Sequence, residues 1–340
     1  MTPNTLKSTV EALLVPGKGI LAADESFPTI EKRFKELGIA SSESNRRNYR
    51  EMLFTTPGLA KSISGVILFD ETIRQRTSKG EAIAELLAGL GIVPGIKVDA
   101  GTEALPGFPG EKFTMGLDGL HARLADYVKL GARFAKWRAV LSIGPGLPTG
   151  ACIRGNARTH ALYAALCQEA GVVPIVEPEV LMDGDHTIEQ CEVVTTAVLE
   201  STFEALVEQR VDLGRILLKT GMVLSGADCP KQAGIEEVAK ATLRCFRRCV
   251  PAAVPGIVFL SGGQSEVPAT QRLNAISSAG GLPWKITFSF GRALQDPAMK
   301  AWGGIPGNVP AGQRALSHRA TCNGLAVRGA YTDKAETAAA

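Results

Sequence analysis

A chain of 340 residues with 45% hydrophobic and 21% charged side chains has an ordinary globular composition and ample length for one large core. Its 37 basic and 34 acidic residues leave a formal charge of +3, too balanced for the one-signed footprint of a nucleic-acid binder. Seven scattered cysteines without a Cys-x-x-Cys pair predict reduced thiols and a cytoplasmic setting, and no apolar run approaches a membrane span.

In chain order, Met1 to Val15 shows neither the basic nor the apolar region of a signal peptide, and its Thr5 to Val15 portion reads as a helix. Eight short apolar runs of strand type then recur: Gly19 to Ala23, Gly65 to Phe69, Val93 to Val98, Arg133 to Trp137, Val172 to Val176, Ile216 to Leu218, Gly256 to Leu260 and Ile286 to Phe290. Amphipathic helical patterns separate them, at Gly80 to Leu90, Leu117 to Leu130, Asn156 to Ala170, Thr187 to Glu208, Ile235 to Val250 and Thr270 to Ser278. Two more patterns follow the last run, at Pro297 to Trp302 and Pro310 to Asn323. Runs starting about 28 to 46 residues apart have the spacing of βα units, and near-continuous apolar strands belong to a sheet covered on both faces. The expectation is an α/β fold, a (β/α)8 TIM barrel forming a single domain over residues 1–331, with extra N- and C-terminal helices and a flexible tail at 332–340.

In such barrels the active site lies at the C-terminal ends of the strands, and here those ends are charged. The first run leads to Asp24-Glu25, the third to Lys97 and Asp99, the fourth to Lys136 and Arg138, the fifth to Glu177-Pro178-Glu179 and the sixth to Lys219. Charge after a single strand is commonly just a solvated loop. So much charge aimed at one mouth is costly unless balanced or used. A lysine ending an apolar strand can lose its proton and attack a carbonyl, and Lys136 supplies a second cation. Ser261-Gly262-Gly263 and Gly291-Arg292 end the seventh and eighth runs, where barrels commonly bind phosphate; alone, they read as glycine turns. Lys97 and the segment Ser26 to Arg33 offer a second anion site.

Other motifs carry less. Gly17-x-Gly19-x-x-Ala22 leads into a strand instead of opening a helix and reads as a turn. Asp183-Gly184-Asp185-His186 reads as a helix-cap loop, and His121, His160 and His318 offer no metal triad.

Long segments in order now carry a resemblance: Pro16 to Ser26, Gly95 to Asp99, Phe134 to Arg138, Val173 to Glu179, Asp183 to His186, Leu217 to Lys219, Leu260 to Ser265 and Phe288 to Leu294. From Gly17 to about Tyr331 the chain resembles the class I, Schiff-base-forming fructose-1,6-bisphosphate aldolases. The resemblance implies the same barrel, a cytoplasmic homotetramer, a phosphosugar substrate in glycolysis or gluconeogenesis, and no metal or other cofactor. It implies that Lys219 forms the Schiff base, Glu177 is the main proton carrier and Asp24 acts at the C4 hydroxyl. Lys136 would assist carbinolamine formation and depress the Lys219 pKa, and Glu179 would orient the lysines by hydrogen bonds. Ser261, Gly262, Gly263, Ser289, Gly291 and Arg292 would hold the 1-phosphate; Ser26, Thr29, Arg33, Lys97 and Arg138 would line the 6-phosphate side.

Departures lie on the flanks. Thr220-Gly221-Met222, Ser26-Phe27-Pro28-Thr29 and Ser289-Phe290-Gly291-Arg292 stand where the family often has Pro-Asn-Met, Ser-Thr-Gly-Ser and Ser-Tyr-Gly-Arg. Animal members carry a terminal tyrosine on a longer tail, whereas here Glu177 is expected to bring the final proton. Cleavage of sedoheptulose 1,7-bisphosphate by the same chemistry, or a non-catalytic scaffold on the same fold, remain the alternatives.

Overall fold

A computed structural model describes residues 3–337. Eight parallel strands form a closed barrel: β1 (Gly19–Ala23), β2 (Ile63–Leu68), β3 (Val93–Lys97), β4 (Phe134–Leu141), β5 (Val173–Val180), β6 (Leu217–Thr220), β7 (Gly256–Phe259) and β8 (Lys285–Phe290). Each pairs with its sequence neighbour and β8 closes on β1, with Ile20 opposite Ser289. Helices between the strands cover the outside. The expected (β/α)8 barrel is the fold observed.

Successive strand residues point to opposite faces, and the two sets differ in chemistry. Outward residues such as Leu21, Val66, Ala135, Trp137, Val176, Leu218 and Phe259 join the large core beneath the helices. Inward residues form a smaller plug of Ile20, Ile67, Phe134, Val173, Ile175, Leu217 and Val258, capped by Leu6, Val10, Leu13 and Leu14 of the N-terminal helix Pro3–Leu13 and the residue following it. Two glycines admit this plug. A Cβ on Gly95 would lie 2.3 Å from the Phe134 ring, and one on Gly65 2.5 Å from Leu13 Cδ2. Above the plug the same inward faces turn polar.

Strands β4 and β5 extend past the apolar runs that announced them, so Arg138, Glu177 and Glu179, like Lys136, stand within strands and not after them. A wet barrel mouth supports charged inward residues while the outward positions between them stay apolar. Helices at Phe27–Lys35, Glu43–Phe54 and Asp70–Arg74, and a hairpin pairing Thr102–Ala104 with Lys112–Thr114, were not anticipated. The buried stripe of Glu43–Phe54 includes Arg50, which breaks its apolar period. Thr149 caps a helix Gly150–Glu169 that starts earlier than expected, its hydroxyl accepting from the Cys152 N–H.

The segment expected as a tail makes contacts where it is described. Residues 334–337 form a short helix, and Glu336 accepts from Arg319 at 2.7 and 2.6 Å and from the Tyr331 hydroxyl at 2.5 Å. Arg319 is buried, which gives that pairing weight. The remainder of the tail, 338–340, lies outside the described residues.

Candidate active site

The polar layer opens into a cavity of about 950 Å³ at the C-terminal end of the barrel. Lys136 and Lys219 are each 3% exposed, on β4 and β6, with Glu177 of β5 between them. Glu177 Oε1 lies 3.0 Å from Lys219 Nζ, and its Oε2 lies 3.2 Å from Lys136 Nζ. Asp24, just past β1, reaches across to Lys136 at 2.7 Å. Lys97 pairs with Asp99 at 2.6 Å, and Arg138 pairs with Glu179. Four cations therefore meet four carboxylates, which is how the barrel tolerates so much buried charge.

Burial works to raise the Asp24 pKa, but Lys136, then Lys219 and Lys97, pull it down to about 2. Glu177 is likewise depressed: burial opposes ionisation, and Lys136, Lys219 and Arg138 outweigh it. Burial acts to lower the Lys136 pKa, while Asp24 and Glu177 push it well above the usual lysine range. Lys136 is thus a fixed ammonium, held by two ionised carboxylates.

One expectation is corrected. Glu179 does not reach the lysines; its carboxylate accepts from Arg138 Nε, and Glu177 is the acid both lysines share. By register Arg138 stands opposite Glu177, and its guanidinium takes the diagonal step up to Glu179, just as Lys136 takes the diagonal step up to Glu177.

The remaining expected residues gather around the same cavity. Ser261, Gly262, Ser289, Gly291 and Arg292 line it. The Ser289 hydroxyl is buried there without a partner. Gly263 is not among the lining residues: it stands behind Arg292, where a Cβ would lie 3.6 Å from the guanidinium and 3.0 Å from the Met182 sulfur, and its φ of +90° calls for glycine regardless. Ser26, Thr29, Arg33, Lys97 and Arg138 line the cavity as well, with Ser26 and Thr29 hydroxyls 3.1 Å apart. Arg33 is ion-paired with Glu25 and, at 2.6 Å, with Asp296.

Asp296 and Lys300 also line the cavity and were missed by sequence reasoning. The signal was present: Arg292, Asp296 and Lys300 recur every fourth residue in helix Arg292–Trp302 and so share one face. Among the described residues, the one His, Cys and carboxylate group at ligand spacing is His318, Cys322 and Glu336, away from the cavity, and Arg319 and Tyr331 already occupy that carboxylate. No helix of the described residues is long and apolar enough to cross a membrane.

Fold and site together define a (β/α)8-barrel enzyme built around an amine–carboxylate centre. Comparison with known proteins gives the family. The family model Fructose-bisphosphate aldolase class-I matches residues 5–340. A probable class 1 fructose-bisphosphate aldolase of Xanthomonas campestris pv. campestris is 54% identical over 332 residues, covering 97% of this chain and 99% of that one. A cytosolic fructose-bisphosphate aldolase of Arabidopsis thaliana is 52% identical over 322 residues, covering 94% and 82%. A fructose-bisphosphate aldolase of Plasmodium falciparum, solved in a ternary complex with TRAP and a small-molecule inhibitor, superposes with a TM-score of 0.95 at 48% identity, covering 97% and 95%. The chain belongs to the class-I fructose-bisphosphate aldolase family, and is a lyase.

Proposed function

We propose that this chain cleaves fructose 1,6-bisphosphate reversibly into dihydroxyacetone phosphate and glyceraldehyde 3-phosphate through a Schiff base on Lys219. The observation that carries the reading is the Lys219–Glu177–Lys136 bridge, with spacings of 3.0 and 3.2 Å, buried beneath a cavity also lined by Arg33, Lys97, Arg138 and Arg292. Glu177 is the acceptor to which the Lys219 ammonium gives its proton. The free amine adds to the C2 carbonyl, a second proton passes from the added nitrogen to the C2 oxygen to give the carbinolamine, and Glu177 returns the first proton to that hydroxyl, which leaves as water to form the iminium. Lys136 remains charged throughout and favours the negative charge developing on that oxygen.

Asp24, ionised at neutral pH, takes the C4 hydroxyl proton. The C3–C4 electron pair then moves to the iminium nitrogen, the aldehyde departs, and a neutral enamine remains. Protonation at C3, with Glu177 as carrier, and addition of water release the ketone and restore Lys219. Ser261, Gly262, Ser289, Gly291 and Arg292 anchor the 1-phosphate, with Gly263 shaping the loop, and Ser26, Thr29, Arg33, Lys97 and Arg138 anchor the 6-phosphate. Two anchors hold C2 to C4 against the lysine and carboxylates, replacing a bimolecular encounter by an oriented one. The role of Glu179 is to fix the Arg138 guanidinium.

The same reading makes the protein a cytoplasmic homotetramer acting in glycolysis and its reversal. Cytosolic relatives and seven free, buried cysteines support the compartment.

The test is borohydride reduction in the presence of dihydroxyacetone phosphate, followed by peptide mass mapping. The adduct is expected on Lys219 and is expected to vanish in Lys219→Met, together with turnover. An adduct on another lysine overturns the mechanism, and no adduct favours a scaffold. Comparing kcat/KM on fructose 1,6-bisphosphate and sedoheptulose 1,7-bisphosphate then decides the preferred aldehyde.

A further inference from the structure

Arg50 does not line the cavity, yet it is only 3% exposed. It lies on helix Glu43–Phe54 among the buried Tyr49, Met52, Leu53 and Phe54, where a guanidinium is costly to desolvate unless it is paired. Its Nη2 donates to Glu25 Oε2 at 2.5 Å, while Nη1 is buried without a partner. Glu25 is a shared node. Its Oε1 accepts from Arg33 and, at 2.9 Å, from Gln295 Nε2. Gln295 also donates to the Ala22 carbonyl of β1, and its own oxygen accepts from the Tyr49 hydroxyl at 2.8 Å. One chain of bonds thus runs from a helix outside the barrel to an arginine on the cavity wall.

The sharing matters for Arg33, whose guanidinium is claimed by Glu25 and Asp296 before any ligand arrives. A phosphate at this end must compete with Glu25. With Arg50 in place, Glu25 retains a cation when Arg33 turns to the ligand. Without Arg50, releasing Arg33 strands a buried carboxylate, and the ligand must overcome that cost. Burial works to raise the Glu25 pKa, and Arg50, ahead of Arg33, more than offsets it.

We propose that Arg50 is a positioning residue for the phosphate site at Arg33: by sharing Glu25 it leaves Arg33 available to the substrate's 6-phosphate. The inference rests on the function proposed above, and a substrate lacking that phosphate separates the two. Steady-state kinetics of Arg50→Met and Arg50→Lys are measured on fructose 1,6-bisphosphate and on fructose 1-phosphate. For Arg50→Met, KM for the bisphosphate is expected to rise about tenfold or more, with kcat within about threefold. KM for fructose 1-phosphate is expected to change less than about twofold, and Arg50→Lys is expected to recover most of the loss.

Equal losses on both substrates, or no loss on either, overturn the proposal, since a purely structural role has no reason to single out one phosphate. If Arg50→Met does not fold, Arg50→Lys and Tyr49→Phe decide by the same split at smaller amplitude. A wild-type protein that cleaves neither substrate, or forms no Lys219 adduct, instead removes the underlying function.

Discussion

Replacing Lys136 by methionine removes the cation on which Asp24 and Glu177 both depend, at 2.7 and 3.2 Å. Depression of the Asp24 pKa from 3.8 to about 2 is a stabilisation on the order of 2 kcal/mol at neutral pH. That contribution is present in full above the unfolded value of 3.8 and is lost as pH falls through about 2. Lys136 is the strongest of the charges producing it, and opposing burial is strong. In Lys136→Met the Asp24 pKa is therefore expected to rise past 3.8, turning a stabilising carboxylate into a destabilising one at neutral pH. Stability is expected to fall by about 3–5 kcal/mol at pH 7.5, the range for removing one partner of a buried pair. The gap is expected to narrow toward pH 4.5, where the variant's carboxyl takes up a proton. Urea unfolding of wild type and variant at both pH values measures this, and the acid limb of kcat in the variant is expected to move to higher pH. A variant at least as stable as wild type at pH 7.5, or a gap that widens toward acid, refutes the electrostatic account of the site.

Two further outcomes follow from the chemistry and the fold. Cleavage activity is expected to survive prolonged treatment with excess EDTA, because the iminium nitrogen accepts the electrons that a metal otherwise would; loss on chelation with recovery on added zinc contradicts this. Deleting residues 332–340 removes Glu336 from the buried Arg319, and should destabilise the protein by about 1–3 kcal/mol in urea unfolding. The same deletion should leave the cleavage rate within about threefold, and a fall of roughly a hundredfold in folded protein shows instead that this segment reaches the site.

Much of the barrel was legible because its physics is local. An apolar run such as Gly256 to Leu260 reads as a buried strand by its own composition, and the polar residues that end such runs fall at one mouth because parallel strands share a direction. Lys219, Glu177 and Asp24 were legible for that reason, and family resemblance then attached roles to them. Segments whose buried face contains charge were not legible. Glu43–Phe54 buries Arg50 along with its aromatics, so its pattern is that of a solvated helix until a carboxylate from elsewhere is brought against it.

Which charge meets which was decided only by closure of the barrel. Arg33 and Asp296 are 263 residues apart in the chain and 2.6 Å apart in space because β8 pairs with β1. Both glutamates of β5 face inward and register sets Arg138 opposite Glu177, yet Arg138 meets Glu179 and Glu177 lies between two lysines, a choice that depends on side-chain reach and surrounding charge and on no property of either glutamate alone. The sequence determined the strands, the chemistry of their inward faces and the buried lysine at the end of β6, because period-two patterning and burial are properties of short segments. The tertiary structure decided the ion-pair partners and the buried support behind Arg33, because electrostatic pairing acts over a few ångströms of space and is blind to separation along the chain.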